Sequence, residues 1–264
     1  MGAITTSTFR DRKRRGEKIA MLTAYDYPAA QLLDEAGIDA ILVGDSVGMA
    51  VMGQRSTLGV TMDHMVHHTR MVTAAVADAM VVGDLPFMSY QVSAEEAIRN
   101  AGRLVGEAGA HAVKLEGSAA KFGEAISGIL RAGIPVMGHI GLTPQSVHAL
   151  GGYKVQGRDA ANRARIKDEA FGLEAIGCFA VVLECVPPDL AAEITAELHI
   201  PTIGIGAGDA CDGQILVMHD MLGWGHTRFS KTYGDVRGLM REAFGQYVQE
   251  VKQGAFPAVE HAYK

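Results

Sequence analysis

The stretch Ala40-Ile41-Leu42-Val43-Gly44-Asp45-Ser46 decides the fold: an apolar run, a glycine, then an acid. A near copy of its end returns as Val82-Gly83-Asp84-Leu85. Outward from these two, short runs rich in Val, Ile, Leu and Met recur along the chain. Each is followed by a polar or glycine-containing turn and then by a longer helix-compatible segment, which is the signature of alternating strands and helices. In order the runs are Ile19–Ala24, Ala40–Gly44, Ala79–Gly83, Ala112–Leu115, Pro135–Gly138, Ala180–Leu183, Thr202–Ile205 and Ile215–Met218. Eight is the number a (βα)8 TIM barrel requires. An open, doubly wound sheet has the same local alternation, so the pattern favours the barrel without excluding the alternative.

The segments between the runs carry helix signals. Ser93-x-x-Glu96 has the form of a capping box ahead of Ala97, Ile98, Ala101, Leu104 and Val105. Gly109, Gly133 and Gly177 fall near expected helix ends, where left-handed caps favour glycine. After the eighth run, Asp235 to Lys252 reads as an extra C-terminal helix, expected to pack on the barrel or on a neighbouring subunit. No linker or composition shift interrupts the chain, and one domain over 1–264 is expected.

Composition narrows the function. Of 264 residues, 48% are hydrophobic and 20% charged, enough for a large core and unlike a disordered chain. A formal charge of -6 argues against nucleic acid as the main partner. No apolar run reaches the roughly 18 residues of a membrane span, and the basic cluster Arg10 to Arg15 has no apolar segment after it that would make a secretory signal. Cys178, Cys185 and Cys211 form no C-x-x-C pair, which fits a reducing cytoplasm.

The residues that end the runs carry the chemistry. Asp26 follows the first, Asp45 the second, Asp84 the third and Glu116 the fourth, with His139 and Glu184 further on. In a barrel the strand C-termini converge on one face, where barrel active sites lie. Carboxylates gathered there repel one another unless a cation joins them, and oxygen ligands without cysteine favour a hard ion such as Mg²⁺. Each acid taken singly also suits a helix N-cap. A glycine beside Asp45 and beside Asp84 leaves room for close approach of another group or a ligand. His64, His67 and His68 are better explained as one face of a helix than as a metal pair. Gly204-Ile205-Gly206-Ala207-Gly208 stands where barrels often bind phosphate, but it departs from G-x-G-x-x-G and fits tight packing equally well. Gly44-Asp45-Ser46-Val47-Gly48 is not a nucleophile elbow, so Ser46 is expected to hydrogen-bond.

Met21-Leu22-Thr23-Ala24-Tyr25-Asp26, Val43-Gly44-Asp45-Ser46, Asp84-Leu85-Pro86-Phe87, Ala112-Val113-Lys114-Leu115-Glu116-Gly117 and Gly138-His139-Ile140-Gly141-Leu142-Thr143-Pro144-Gln145-Ser146 resemble, together, the ketopantoate hydroxymethyltransferase family. So do Leu183-Glu184-Cys185-Val186-Pro187, Ile203 to Gly208 and Asp212 to Val217, and the resemblance runs over residues 10 to 257. It implies a barrel of the phosphoenolpyruvate/pyruvate type, assembled as a homodecamer. It also implies transfer of a hydroxymethyl group from the cosubstrate 5,10-methylenetetrahydrofolate to 3-methyl-2-oxobutanoate, through a Mg-stabilised enolate, giving 2-dehydropantoate in pantothenate biosynthesis.

Carried over residue by residue, the metal ligands are Asp45, Asp84 and Glu116, and the substrate contacts are Asp45, Ser46, Asp84 and Lys114. The catalytic base is Glu184, while the role of His139 stays open. Strand alternation puts Lys114 and Glu116 on one face, with Leu115 on the other. Met221 to Lys231 matches the family least clearly, and no folate or subunit contact is carried there. Two other readings stand beside this one: another Mg²⁺-dependent barrel lyase or aldolase acting on 2-oxo acids, separable by its independence of tetrahydrofolate, and a non-catalytic 2-oxo-acid binding protein.

Overall fold

A computed structural model describes residues 3–225 and 227–263. Each apolar run overlaps a strand: β1 Ile19–Thr23, β2 Ala40–Val43, β3 Met80–Asp84, β4 Ala112–Glu116, β5 Val136–Gly141, β6 Ala180–Glu184, β7 Thr202–Ile205 and β8 Gly213–Leu216. They pair in chain order, all parallel, and β8 returns to β1. The sheet is therefore closed, which excludes the open alternative. β8 begins ahead of its apolar run because Gly213 and Gln214 pair with Ile19 and Ala20 through backbone alone. A side chain at Gly213 would meet the Ile19 carbonyl and Ile203.

Strands buried on both faces explain why the runs are continuous rather than alternating. Ile41, Val43, Val81, Val113, Leu115, Val181 and Leu183 join the core between sheet and helices. Their neighbours Ala40, Leu42, Met80, Val82, Ala112, Met137, Ala180 and Val182 fill the barrel lumen. Because side chains alternate with a period of two, this assignment also fixes the next residues along. Asp84 follows Val82 inward, Lys114 and Glu116 follow Ala112, His139 follows Met137, and Glu184 follows Val182. The polar residues of four successive strands thus point into the C-terminal mouth of the barrel.

The opposite mouth is closed by the first helix, Thr6–Arg15, whose Phe9 is fully buried in the lumen cluster. Its ring meets Phe179 edge to face at 5.7 Å. The basic cluster that follows fixes the plug: Arg12 lies 2.6 Å from Asp39, just before β2, and Lys13 lies 2.7 Å from Asp212, just before β8.

The helix signals have physical counterparts. Ser93 caps the helix Ala94–Gly106 by accepting the Glu96 N–H at 3.1 Å. Gly177 ends the helix Ala160–Ile176 at φ 107°. His64 accepts the Thr61 N–H at 3.1 Å, and His68 Nδ1 lies 2.7 Å from the Tyr25 carbonyl, so the histidine face serves caps and packing. The glycine loop after β7 also packs tightly: a Cβ on Gly208 would press on Pro188.

The chain divides into two compact units, Met1–Val217, which holds all eight strands, and Met218–Lys264. In the second, Asp235 caps the helix Val236–Gln253, in which no residue is buried. Among the described residues no helix is long and apolar enough to cross a membrane.

Phe9→Ala should lower the urea unfolding midpoint by an amount worth about 3–5 kcal/mol, the usual cost of emptying a buried phenylalanine site. Turnover of the folded protein should be unchanged, since the plug lies at the mouth opposite the acids. A midpoint within error of wild type would show that the plug contributes nothing to the barrel.

Candidate active site

Register brings the inward polar residues into pairs. Asp84 stands beside Lys114 across β3 and β4, and Glu116 stands beside His139 across β4 and β5. Lys114 Nζ lies 2.9 Å from Asp84 Oδ1, with both side chains almost fully buried. The other oxygen of Asp84 accepts the backbone N–H of Asp45 at 3.2 Å, which ties the end of β2 to β3. His139 spans the remaining gap: Nδ1 is 3.6 Å from Glu116 Oε1, and Nε2 is 3.2 Å from Glu184 Oε2. The latter approach is off the line of a hydrogen bond, leaving Nε2 buried and unmatched.

Ser46 begins the short turn of helix Val47–Ala50, and its hydroxyl lies 2.8 Å from that of the buried Tyr25. Glu184 is anchored through its backbone. Its carbonyl accepts the Leu142 N–H at 2.8 Å, and the next residue, Cys185, takes the left-handed conformation at φ 48° while donating its N–H to Ile205. Gly141 has φ 92°, and a Cβ there would collide with the Glu184 carbonyl.

Six of the sequence candidates, Asp45, Ser46, Asp84, Lys114, Glu116 and Glu184, therefore gather at one mouth, with His139 among them. Asp26 does not. It is exposed and accepts the Ala29 N–H at 2.9 Å as the N-cap of helix Tyr27–Glu35, so its proximity to a strand end is a capping signal. The glycines before Asp45 and Asp84 make room for neighbouring groups. A Cβ on Gly44 would meet Ser46 Oγ, and one on Gly83 would meet Leu104 on the outer face. Sequence reasoning missed Tyr25, Tyr90 and Gln145. Gln145 reaches both Asp45 and Glu116 from the 3-10 turn Pro144–Ser146, and Tyr90 lies behind it. None of the three is a charged residue at a strand end, the feature that marks the acids, Lys114 and Glu184.

Burial raises the Asp45 carboxyl to about 7, with the charge of Asp84 adding to the effect and Lys114 opposing it. Burial likewise pushes Glu116 well up, against the pull of Lys114. Burial would lower Lys114, but Asp84, Glu116 and Asp45 outweigh it and hold its ammonium above the ordinary lysine value. Burial and the nearby Lys114 lower His139, which keeps its ring neutral at physiological pH.

Three acids against one lysine leave excess negative charge in a nearly dry mouth. Asp84 Oδ1 has the ammonium as neighbour but no aligned hydrogen bond. The donor set is oxygen, which suits a hard cation. Among the described residues no three His, Cys, Asp or Glu side chains come close enough together to hold a metal ion as a cage of protein ligands. Zinc would call for such a cage, whereas Mg²⁺ is usually held by one or two carboxylates and keeps water and substrate oxygens in its remaining positions. One or two of Asp45, Asp84 and Glu116, with water completing the shell, would suit magnesium on that ground.

Solved structures with the same architecture include a phosphonopyruvate hydrolase, TM-score 0.67 and 14% identical over 97% of this chain and 92% of that one. Another is a putative phosphonomutase from Burkholderia cenocepacia J2315, TM-score 0.66 and 17% identical over 94% and 98%. A 2,3-dimethylmalate lyase of the PEP mutase/isocitrate lyase superfamily aligns at TM-score 0.61, 13% identical over 98% and 91%. The protein is thus a closed (βα)8 barrel with an acidic mouth. The sequence profile of the ketopantoate hydroxymethyltransferase family matches residues 3–259, and the chain belongs to that family. Relatives named 3-methyl-2-oxobutanoate hydroxymethyltransferase include that of Syntrophus aciditrophicus, 56% identical over 98% of this chain and 96% of the relative. That of Syntrophomonas wolfei is 53% identical over 100% and 96%.

The raised Asp45 gives a pH signature. Its folded value of about 7 lies above the ordinary 3.8, so between those values the unfolded chain releases a proton that the folded chain retains. Stability from this group is full below about pH 4 and is lost as pH rises towards 7. Metal-free wild type should therefore lose roughly 2–4 kcal/mol relative to Asp45→Asn across that window. Urea titrations in EDTA measure the difference, and parallel pH curves for the two proteins would refute the assignment.

Proposed function

We propose that this protein makes ketopantoate (2-dehydropantoate), transferring a hydroxymethyl group from 5,10-methylenetetrahydrofolate to 3-methyl-2-oxobutanoate, with Mg²⁺ held by Asp45, Asp84 and Glu116. The observation that carries the reading is the shared inward direction of Asp84, Lys114, Glu116, His139 and Glu184 in one barrel mouth, in a chain of this family. When bound, Mg²⁺ would supply Lewis acidity towards the keto group of the 2-oxo acid.

The chain's own groups divide the remaining work. Lys114 is a buried, fixed positive charge suited to the substrate carboxylate and to negative charge that develops as the C3 proton leaves. Ser46, held by Tyr25, offers a hydroxyl to the same substrate. Glu184 stands on β6, away from the three candidate ligands, so its carboxylate is available to take the C3 proton. The neutral His139 ring beside it buttresses the Glu184 side chain without neutralising it. The resulting carbon nucleophile then attacks the methylene carbon of the folate; the carbon–nitrogen bonds to that carbon break, water supplies the hydroxyl oxygen, and tetrahydrofolate leaves, with both reactants held in the mouth. Family membership also supports a homodecamer in the cytoplasm, which sedimentation and fractionation would test.

Glu184→Gln preserves size and polarity but cannot accept a proton. In D₂O, NMR should detect deuterium entering C3 of 3-methyl-2-oxobutanoate with wild type and Mg²⁺. Glu184→Gln should exchange roughly 10²–10⁴-fold more slowly while still binding substrate calorimetrically. Exchange at the wild-type rate would move the base elsewhere, and product formation without methylenetetrahydrofolate would overturn the reaction itself.

Lys114→Ala should raise KM and lower kcat together, because the same charge serves ground-state binding and the transition state. If both constants stay within about twofold of wild type, too little for a lost charge contact, Lys114 takes no part in the reaction.

A further inference from the structure

Gln145 is an uncharged residue at the centre of a charged site, and its backbone N–H and both ends of its side-chain amide are engaged. Its backbone N–H donates to Glu116 Oε2 at 2.9 Å. Its side-chain Nε2 donates to Asp45 Oδ2 at 2.9 Å and to the Leu85 carbonyl at 3.0 Å. Its Oε1 lies 2.9 Å from the Tyr90 hydroxyl and accepts from Gln91 Nε2 at 3.1 Å. The surroundings leave the amide one orientation. Reversed, it would set its oxygen against the Asp45 carboxylate and the Leu85 carbonyl, and its nitrogen against that of Gln91. Tyr90 is fixed in turn, because its hydroxyl accepts the Glu116 N–H at 3.2 Å and lies 2.9 Å from the Glu116 carbonyl.

We propose that Gln145 is a positioning residue that sets the spacing and direction of the Asp45 and Glu116 carboxylates for a divalent cation. The proposal rests on the magnesium reading above. One oxygen of each carboxylate is bound to the same residue, so neither acid can rotate without straining the other. The residue type matters as much as the place. A neutral donor offsets part of the cost of burying two carboxylates without cancelling their charge. A lysine or arginine there would compete with the cation, and an apolar residue would release Asp45 and leave Glu116 only the backbone N–H. Partners of metal-ligating groups are worth about 10–100-fold in metal affinity when removed.

The test uses the full-length protein and Mn²⁺ alone, a cation with the same octahedral oxygen preference as Mg²⁺. Titration followed by electron paramagnetic resonance gives both dissociation constant and stoichiometry. Gln145→Met keeps length and volume but loses the side-chain donors. It should bind one Mn²⁺ per site with Kd raised roughly 10–100-fold. Gln145→Asn keeps the backbone N–H to Glu116 but is one methylene short of bridging Tyr90 and Asp45, and should also raise Kd. If Gln145→Met does not fold, Gln145→Asn decides by the same criterion.

A merely structural role would reduce stoichiometry, by lowering the folded fraction, and leave Kd unchanged. That outcome overturns the proposal, as does a Kd within about twofold of wild type, well short of the usual cost. Wild type that binds no Mn²⁺ at the acids would overturn the magnesium reading, and the proposal with it.

Discussion

An ammonium group sealed 2.9 Å from a carboxylate inside a barrel, Lys114 against Asp84, is the interaction on which the mouth depends. Isolating either charge there would cost several kcal/mol, so neither residue is tolerable alone. Lys114 also eases the burial of Asp45 and Glu116 by drawing both carboxyls back towards ionisation, while the charge of Asp84 works against it. The pair exists because β3 and β4 are in register at these two residues, and that register follows from closure of the sheet. The electrostatics of the site are in this sense a property of strand alignment.

Much of this was legible in the sequence, for a definite reason. Parallel strands buried on both faces must be nearly all apolar, so a charge at the end of such a run is conspicuous, and Asp45, Asp84, Glu116 and Glu184 were found that way. The same rule misread Asp26, because a carboxylate after a strand is equally a cap for the helix that follows, and one side chain does not reveal which way it turns. Gln145 and Tyr90 were not legible as site residues. They are uncharged, lie beyond strand ends in turns, and gain their roles from contacts across 26 to 100 positions of chain. The basic run Arg10 to Arg15 was likewise silent, since its function as a plug depends on Asp39 and Asp212, which only the closed barrel brings near.

Architecture and chemistry separate cleanly here. Structures only 13–17% identical share the barrel, because layers of Val, Ile, Ala and Met inside a closed sheet can be exchanged among similar volumes. Fold likeness at that level identifies where a reaction happens and not which one. The distinguishing information lies in the few inward positions at one rim and in the loops behind them. Family membership at more than half identity covers those positions as well as the frame.

The sealing of the lower mouth bears on how the molecule assembles. Phe9 and Lys13 are made long before Phe179 and Asp212, on which they rest; the Lys13 to Asp212 contact spans 199 positions. β1 likewise has only β2 to pair with until β8 exists. The entropy of bringing such distant segments together falls due late, and chains dominated by non-local pairing fold slowly. Until the last strand arrives, the first helix has no seat and the nascent sheet has two open edges. The period between translation of β1 and closure by β8 is therefore when this chain is most exposed to misassembly and in greatest need of chaperone protection.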